Sequence, residues 1–280
     1  MRRDELDILV DWAADEGWNP GLDDAEVFWA TDPEGFVALE VAGELVGGGS
    51  IVDHGGGYGF MGFFSVRPDR RGAGLGRTLW ITRRDLLLDR LGPDSTIEMD
   101  GVFAMEPFYA AGGFVLQHRD LRFEGVGAAA PSATVPGIEV VDLADVPFAV
   151  VQDYDSGHVP APRPEFLRRW IVRPGGSAIG VVDGGTCRGM AVSRPCRTGH
   201  RIGPLFADDP VVAEALFTAL ASRVAGEPIF LDVPERNAAA LDLVARHGMV
   251  EVFGCARMTL GRPRPLPWDE IFGVTTFELG

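Results

Sequence analysis

The sequence predicts an α+β protein, a mixed sheet with flanking helices in each of two domains. Three observations carry this. A strand–turn–helix passage reads V-R-P-D-R-R-G-A-G-L-G-R-T-L from Val66 to Leu79. Strand-like and helix-like runs alternate up to residue 124. The second half then repeats the first in weakened form. A chain of 280 residues is long enough for two cores, and 46% hydrophobic residues mark a globular protein.

Asp4 to Glu16 reads as an amphipathic helix, with Leu6, Leu9, Val10 and Ala13 at helical spacing. Gly17-Trp18-Asn19-Pro20-Gly21 breaks it, and a second helix is expected from Asp23 to Ala30. Phe36 to Val41 and Leu45 to Val52 form a strand pair turned by Ala42-Gly43-Glu44. A further extended run (Tyr58, Phe60, Phe63, Phe64, Val66) enters the glycine turn, and a helix from Leu75 to about Arg90 leaves it. Ile97-Glu98-Met99 is a short apolar strand, followed by Glu106-Pro107-Phe108-Tyr109 and Gly112-Gly113-Phe114-Val115.

The turn has a chemical reading. Arg71, Gly72, Gly74 and Gly76 carry little bulk, so several backbone N–H groups can converge in front of a helix dipole, a device that holds a pyrophosphate. Glycine permits positive φ and close approach of a ligand, while Arg71 and Arg77 can add charge-assisted bonds. Taken alone, the passage also fits an ordinary glycine-rich connection. It contains no G-K-[ST] and lacks the third glycine of a dinucleotide fingerprint.

Composition bounds the partners. A net charge of −16 argues against non-specific binding to nucleic acid or an anionic membrane. It favours cationic small molecules, or serves solubility alone. All 25 basic residues are arginine, so the protein has no lysine side chain of its own to be acylated. Cys187, Cys196 and Cys255 lack metal-site spacing and suit reduced thiols. His54, His118, His200 and His247 form no ligand set, so no metal is expected. No apolar run approaches ~20 residues, and no signal-peptide core is evident; a cytoplasmic protein is expected.

The order of these pieces resembles the GNAT superfamily of acetyl-CoA-dependent N-acetyltransferases. The match rests on V-x-P-x-x-R-G-x-G-x-G at Val66 to Gly76 and Y-x-x-x-G-F at Tyr109 to Phe114, within residues 36 to 124. The strand that usually opens such a domain is either missing before the first helix or lies upstream of residue 1. From Gly125 to Gly137 the chain is uncharged, small and proline-bearing, as a linker is. The expected domains are therefore 1–124, binding acetyl-CoA, and 138–280, a divergent copy. In that copy Ile229-Phe230-Leu231-Asp232 parallels Ile97 to Asp100, and Leu243 to Val250 parallels Phe108 to Val115. Ile202 to Phe206 leads into Ala207-Asp208-Asp209-Pro210 instead of a glycine turn, and Val244 stands in the tyrosine's place. Two carboxylates there would repel a pyrophosphate. This layout resembles a bacterial tandem subgroup, with shared marks at Glu16 to Gly21, Met99 to Val102 and Arg201 to Asp208.

The resemblance implies an acyl-CoA N-acyltransferase in which a primary amine of a small molecule attacks the thioester of acetyl-CoA directly in a ternary complex. Phe64 and Val66 would offer backbone groups to the pantetheine. Arg71, Gly72, Ala73, Gly74, Leu75, Gly76 and Arg77 would hold the pyrophosphate, and Tyr109 would protonate the departing thiolate. Glu98 and Asp100 share one strand face by alternation and are candidate bases through water, or structural carboxylates. Trp18 and Asn19 lie on a loop that often lines the acceptor pocket in this superfamily, or anchor the helix turn. Asp155 could face the acceptor or pair with Arg163. The alternatives are a sensor that binds the coenzyme without turnover, and an acyltransferase for a longer chain. The acceptor and the oligomeric state, a homodimer among the options, are not fixed by the sequence.

Overall fold

The computed structural model describes residues 1–128 and 138–280, so residues 129–137 of the expected linker lie outside the described residues. The chain folds as two compact units that do not follow a single cut. The first comprises Met1–Gln117, Ala256–Pro263 and Phe277–Gly280; the second comprises His118–Cys255 and Arg264–Thr276.

In the first unit, α1 (Arg3–Asp15) buries Leu6, Leu9, Val10 and Ala13, and the Glu5 carboxylate accepts from the Arg2 N–H at its start. α2 (Asp24–Thr31) follows a turn in which the Gly21 N–H donates to Asp24 Oδ2 at 2.7 Å. β1 (Phe36–Val41), β2 (Glu44–Gly55) and β3 (Tyr58–Val66) form an antiparallel meander. β2 runs beyond the expected Leu45 to Val52, taking in Glu44 and Asp53 to Gly55. α3 (Leu75–Leu91) is the crossover that a parallel pairing needs, and it returns the chain to β4 (Thr96–Val102), parallel to β3. α4 (Glu106–Ala111) closes this part.

Segments from the far end of the sequence complete that core. Ala256 and Met258 are buried with Ile51, Met61, Trp80, Leu87, Ile97, Met99, Tyr109 and Phe114. Leu279 is fully buried and Phe277 nearly so, while Ser50 Oγ donates to the Glu278 carbonyl at 3.3 Å. A Cβ on Gly62 would stand 2.0 Å from that carbonyl, which explains the glycine.

The second unit begins with β5 (Val115–Val126), whose residues from His118 onward belong to it. After β6 (Val140–Asp142) come α5 (Phe148–His158) and α6 (Pro164–Trp170). β7 (Ser177–Asp183), β8 (Thr186–Pro195) and β9 (His200–Ala207) form a second antiparallel meander. α7 (Pro210–Arg223) crosses to β10 (Pro228–Pro234), parallel to β9, so the first unit's plan recurs. α8 (Ala238–Arg246), β11 (Val250–Leu260) and β12 (Ile271–Gly273) follow, and the last residues of β11 are those that join the first unit. The second core gathers Ile202, Leu205, Leu216, Phe217, Leu220, Leu231, Leu243 and Phe272.

Because the tail is part of the first unit's core, Leu279→Ala is expected to lower stability by about 2–4 kcal/mol. Urea unfolding of the full chain measures this. A loss below about 0.5 kcal/mol, as for a surface substitution, would show that the tail contributes no core.

Candidate active site

The site begins where two strands part. β3 and β4 pair from Tyr58↔Thr96 to Met61↔Met99, and the ladder stops there although β3 runs on to Val66 and β4 to Val102. On its other side β3 stays paired with β2 to Val66↔Gly47, with the register shifting between Gly48 and Ser50. A bulge of this kind bends a strand and re-aims it. Phe63 sits at its centre with φ +51°. The Arg67 N–H donates to the Val46 carbonyl of β2. By alternation the main-chain groups of Phe64 and Val66 point away from β2, into the gap. Arg71 Nε already donates to the Val66 carbonyl at 2.7 Å.

The glycine turn follows. Gly72 and Gly74 have φ +83° and +81° and nothing within 4 Å of an added Cβ, so the turn is open on its outer side. Gly74 is the N-cap of α3 and supplies no side-chain cap, leaving the first N–H groups of a 17-residue helix to whatever lies in front of them. Ala73 is exposed, and Gly76 packs 3.6 Å from Phe64 when given a Cβ, which joins helix to strand. Of the two arginines, Arg77 is exposed at the first turn, whereas Arg71 folds back onto Val66 and pairs with Glu16.

Tyr109 lies across the diverging end of β4. Its ring would stand 2.3 Å from a Cβ on Gly101, and it stacks on Trp80 with centroids 6.2 Å apart. Glu98 and Asp100 share the opposite strand face from the buried Met99, and the structure ties both to one cation. Arg257 grips Asp100 with two bonds of 2.7 Å and reaches Glu98 Oε2 at 3.2 Å. Glu98 also accepts from Tyr58 Oη at 3.0 Å. Burial, then the Glu98 charge, push the Tyr58 phenol well above its ordinary range, so it stays a donor. Arg257 stands 157 residues from Asp100, and nothing in the local sequence announces it. Trp18 and Asn19 are half-buried on the loop after α1, near Glu16, with Asn19 at φ +50°. Asp155 lies in the second unit, where both its oxygens accept from Arg163 at 2.9 and 3.1 Å.

The equivalent place in the second unit is filled twice over. At the start of α7, Asp209 Oδ1 accepts from the N–H groups of Val211 and Val212 at 2.8 and 3.0 Å. The helix end that would face a phosphate already faces a carboxylate. Past its ladder with β10, which ends at Ile202↔Leu231, β9 pairs instead with β12 through Phe206↔Ile271 and Leu205↔Gly273. The Val274 N–H donates to the Asp232 carbonyl of β10 at 2.9 Å. A strand of the chain itself occupies the gap that is open in the first unit. Val244, at the tyrosine's place, is buried.

No three-residue cluster of His, Cys, Asp or Glu suited to a metal occurs among the described residues. No described helix is long and apolar enough to cross a membrane.

The fold and this strand-and-helix arrangement suit a transferase that uses an acyl-CoA co-substrate, the class to which the family models assign the chain. Two family models match in tandem: the acetyltransferase (GNAT) family over residues 4–114, and an acetyltransferase (GNAT) domain over residues 151–273. The chain belongs to the GNAT acetyltransferases, with two such domains, and is an N-acyltransferase by class. It is similar to the holothin acyltransferase of a Pseudoalteromonas species, 27% identical across 99% of this chain and 92% of that one. Among solved structures, one from Pyrococcus horikoshii with a provisional acetyltransferase description superposes with a TM-score of 0.82 at 23% identity, covering 100% of this chain and 94% of the other. A tandem GNAT protein from the clavulanic acid biosynthesis pathway superposes at 0.65 and 17% identity, covering 93% and 94%.

Removing the Arg257 guanidinium would leave two buried carboxylates without it. Arg257→Met is expected to destabilise the protein by about 3–5 kcal/mol. Denaturant unfolding at neutral pH checks this, and an unchanged midpoint would show the pair to be solvated.

Proposed function

We propose that the protein transfers an acetyl group from acetyl-CoA to a primary amine of a small molecule, and that only the first unit binds the donor. One observation supports this most directly: the gap and the uncapped helix end are open in the first unit and filled in the second. In this reading the pyrophosphate lies on the turn from Arg71 to Arg77, and the pantetheine runs along Phe64 and Val66.

The amine nitrogen attacks the thioester carbonyl carbon, the carbon–sulfur bond breaks, and the thiolate leaves with the electron pair. Tyr109, beside the diverging end of β4, gives that thiolate a proton. The proton lost by the amine passes through water to Glu98 or Asp100. Arg257 holds both carboxylates in place, with two hydrogen bonds to Asp100 and one to Glu98. Trp18 and Asn19 contribute to the acceptor side. The holothin acyltransferase supports acyl transfer in a chain of this length and layout; its acceptor is not carried over. An excess of acidic residues favours a cationic acceptor, and three buried, unbridged cysteines suit a reducing cytoplasm.

A thiol-release screen over primary amines tests the reading. Turnover is expected, with Tyr109→Phe lowering kcat by about 10²–10⁴-fold and acetyl-CoA affinity nearly unchanged. Binding of acetyl-CoA with no turnover on any amine would favour the sensor, and faster turnover of propionyl- or succinyl-CoA would favour a longer acyl group. Calorimetry locates the donor. Gly74→Glu should abolish binding by placing a carboxylate at the helix end, whereas Asp209→Ala should cost about 1 kcal/mol of stability and leave affinity as it was.

A further inference from the structure

Arg83 is a buried cation that nothing above uses. It projects from α3, the helix whose first turn forms the donor cradle, into the stripe of Leu79, Trp80 and Leu87. Its side chain is 1% exposed. Among the described residues it meets no carboxylate; a single nitrogen, Nη2, donates to the carbonyls of Ser50 and Gly62 at 2.5 and 2.6 Å. Nε and Nη1 are buried without hydrogen-bond partners. Burial lowers the guanidinium to about 9, with the neighbouring Tyr109 acting weakly in the opposite direction.

Placing a cation there is costly, and its surroundings are shaped to accept it. A Cβ on Gly49 would come within 2.3 Å of the guanidinium carbon, so only glycine leaves the space. The Phe64 ring lies 5.6 Å away on another side. Ser50 and Gly62 are register partners at the edge of the bulge. There the Gly62 N–H donates to Ser50 Oγ at 2.8 Å. Two carbonyls thus converge on the arginine, immediately before Phe63 takes its left-handed conformation and Phe64 enters the gap.

We propose that Arg83 is a positioning residue for acyl transfer: it locks the β2–β3 bulge to the donor-binding helix and so fixes the strand edge on which the thioester lies. This rests on the reading of the first unit as the donor site. Pyrophosphate binding depends on the turn and should not need the lock. The chemical step should need it, because a displacement of about 1 Å in a reacting group can cost about 100-fold in rate.

The test uses the full chain, with coenzyme A binding by calorimetry and thiol release from acetyl-CoA with an amine that the unsubstituted chain accepts. Arg83→Met is expected to keep its coenzyme A affinity within about threefold while kcat falls about 10- to 100-fold. Gly49→Ala, which displaces the guanidinium without removing it, should reproduce that split and decides the matter if Arg83→Met does not fold. Arg83→Lys restores one nitrogen between two carbonyls. Its buried amine should titrate well below the ordinary lysine value, so activity should be rescued at low pH and lost as pH rises. Variants with unaltered kcat overturn the proposal. So does a parallel loss of affinity, kcat and thermal stability with no rescue by lysine, the mark of a purely structural role. An unsubstituted chain that binds no coenzyme A overturns the donor-site reading and this role with it; one that turns over normally alongside unimpaired variants overturns only the role of Arg83.

Discussion

The parting of β3 from β4 beyond the Met61↔Met99 pair is the constraint on which the site depends. A parallel pair that stopped for want of residues would simply end. Here both strands continue, and each must find other partners for its backbone. β3 keeps β2 on one side through the bulge, and β4 presents its end to Tyr109. The interval between them exists because the ladder that would seal the sheet stops at Met61↔Met99. The glycine turn is placed by the same geometry, since it is simply where β3 goes next.

Glycines record how closely the surrounding pieces approach. Gly49 makes room for a guanidinium, Gly62 for the Glu278 carbonyl and Gly101 for a phenol ring. These are contacts with groups from a helix, the chain's last residues and a short helix respectively. Small residues inside strands usually weaken a sheet. Here each substitution would displace a neighbour that stands at the gap or behind it.

Much of the fold was legible because it is local. Leu6, Leu9, Val10 and Ala13 mark α1 by spacing alone, the turn at Arg71–Gly76 announces the helix after it, and the repeat in the second half foretells the second meander. What could not be read is what depends on residues distant in sequence. Arg257 reaches Glu98 and Asp100 from 159 and 157 positions away, and the tail residues Phe277 to Gly280 return to the first unit with no composition to mark them. Arg83 lies between these cases. Its charge in an otherwise apolar helix stripe is visible in the sequence, but the two carbonyls that hold it are not. In the second unit, Asp208 and Asp209 are visible in the sequence, but the cap that Asp209 forms on α7 is not. That β12 fills the rest of the groove required the pairing itself.

β12 carries a consequence for how the two copies respond to their surroundings. A strand tethered in the same chain is held at very high effective concentration, so β12 keeps its place beside β9 in the second unit. Among the described residues no strand fills that place in the first unit, and any molecule that binds its folded form alone would stabilise it in proportion to the logarithm of that molecule's concentration. On the proposed reading, duplication has yielded one half whose order is built in and one half whose order follows the supply of its donor.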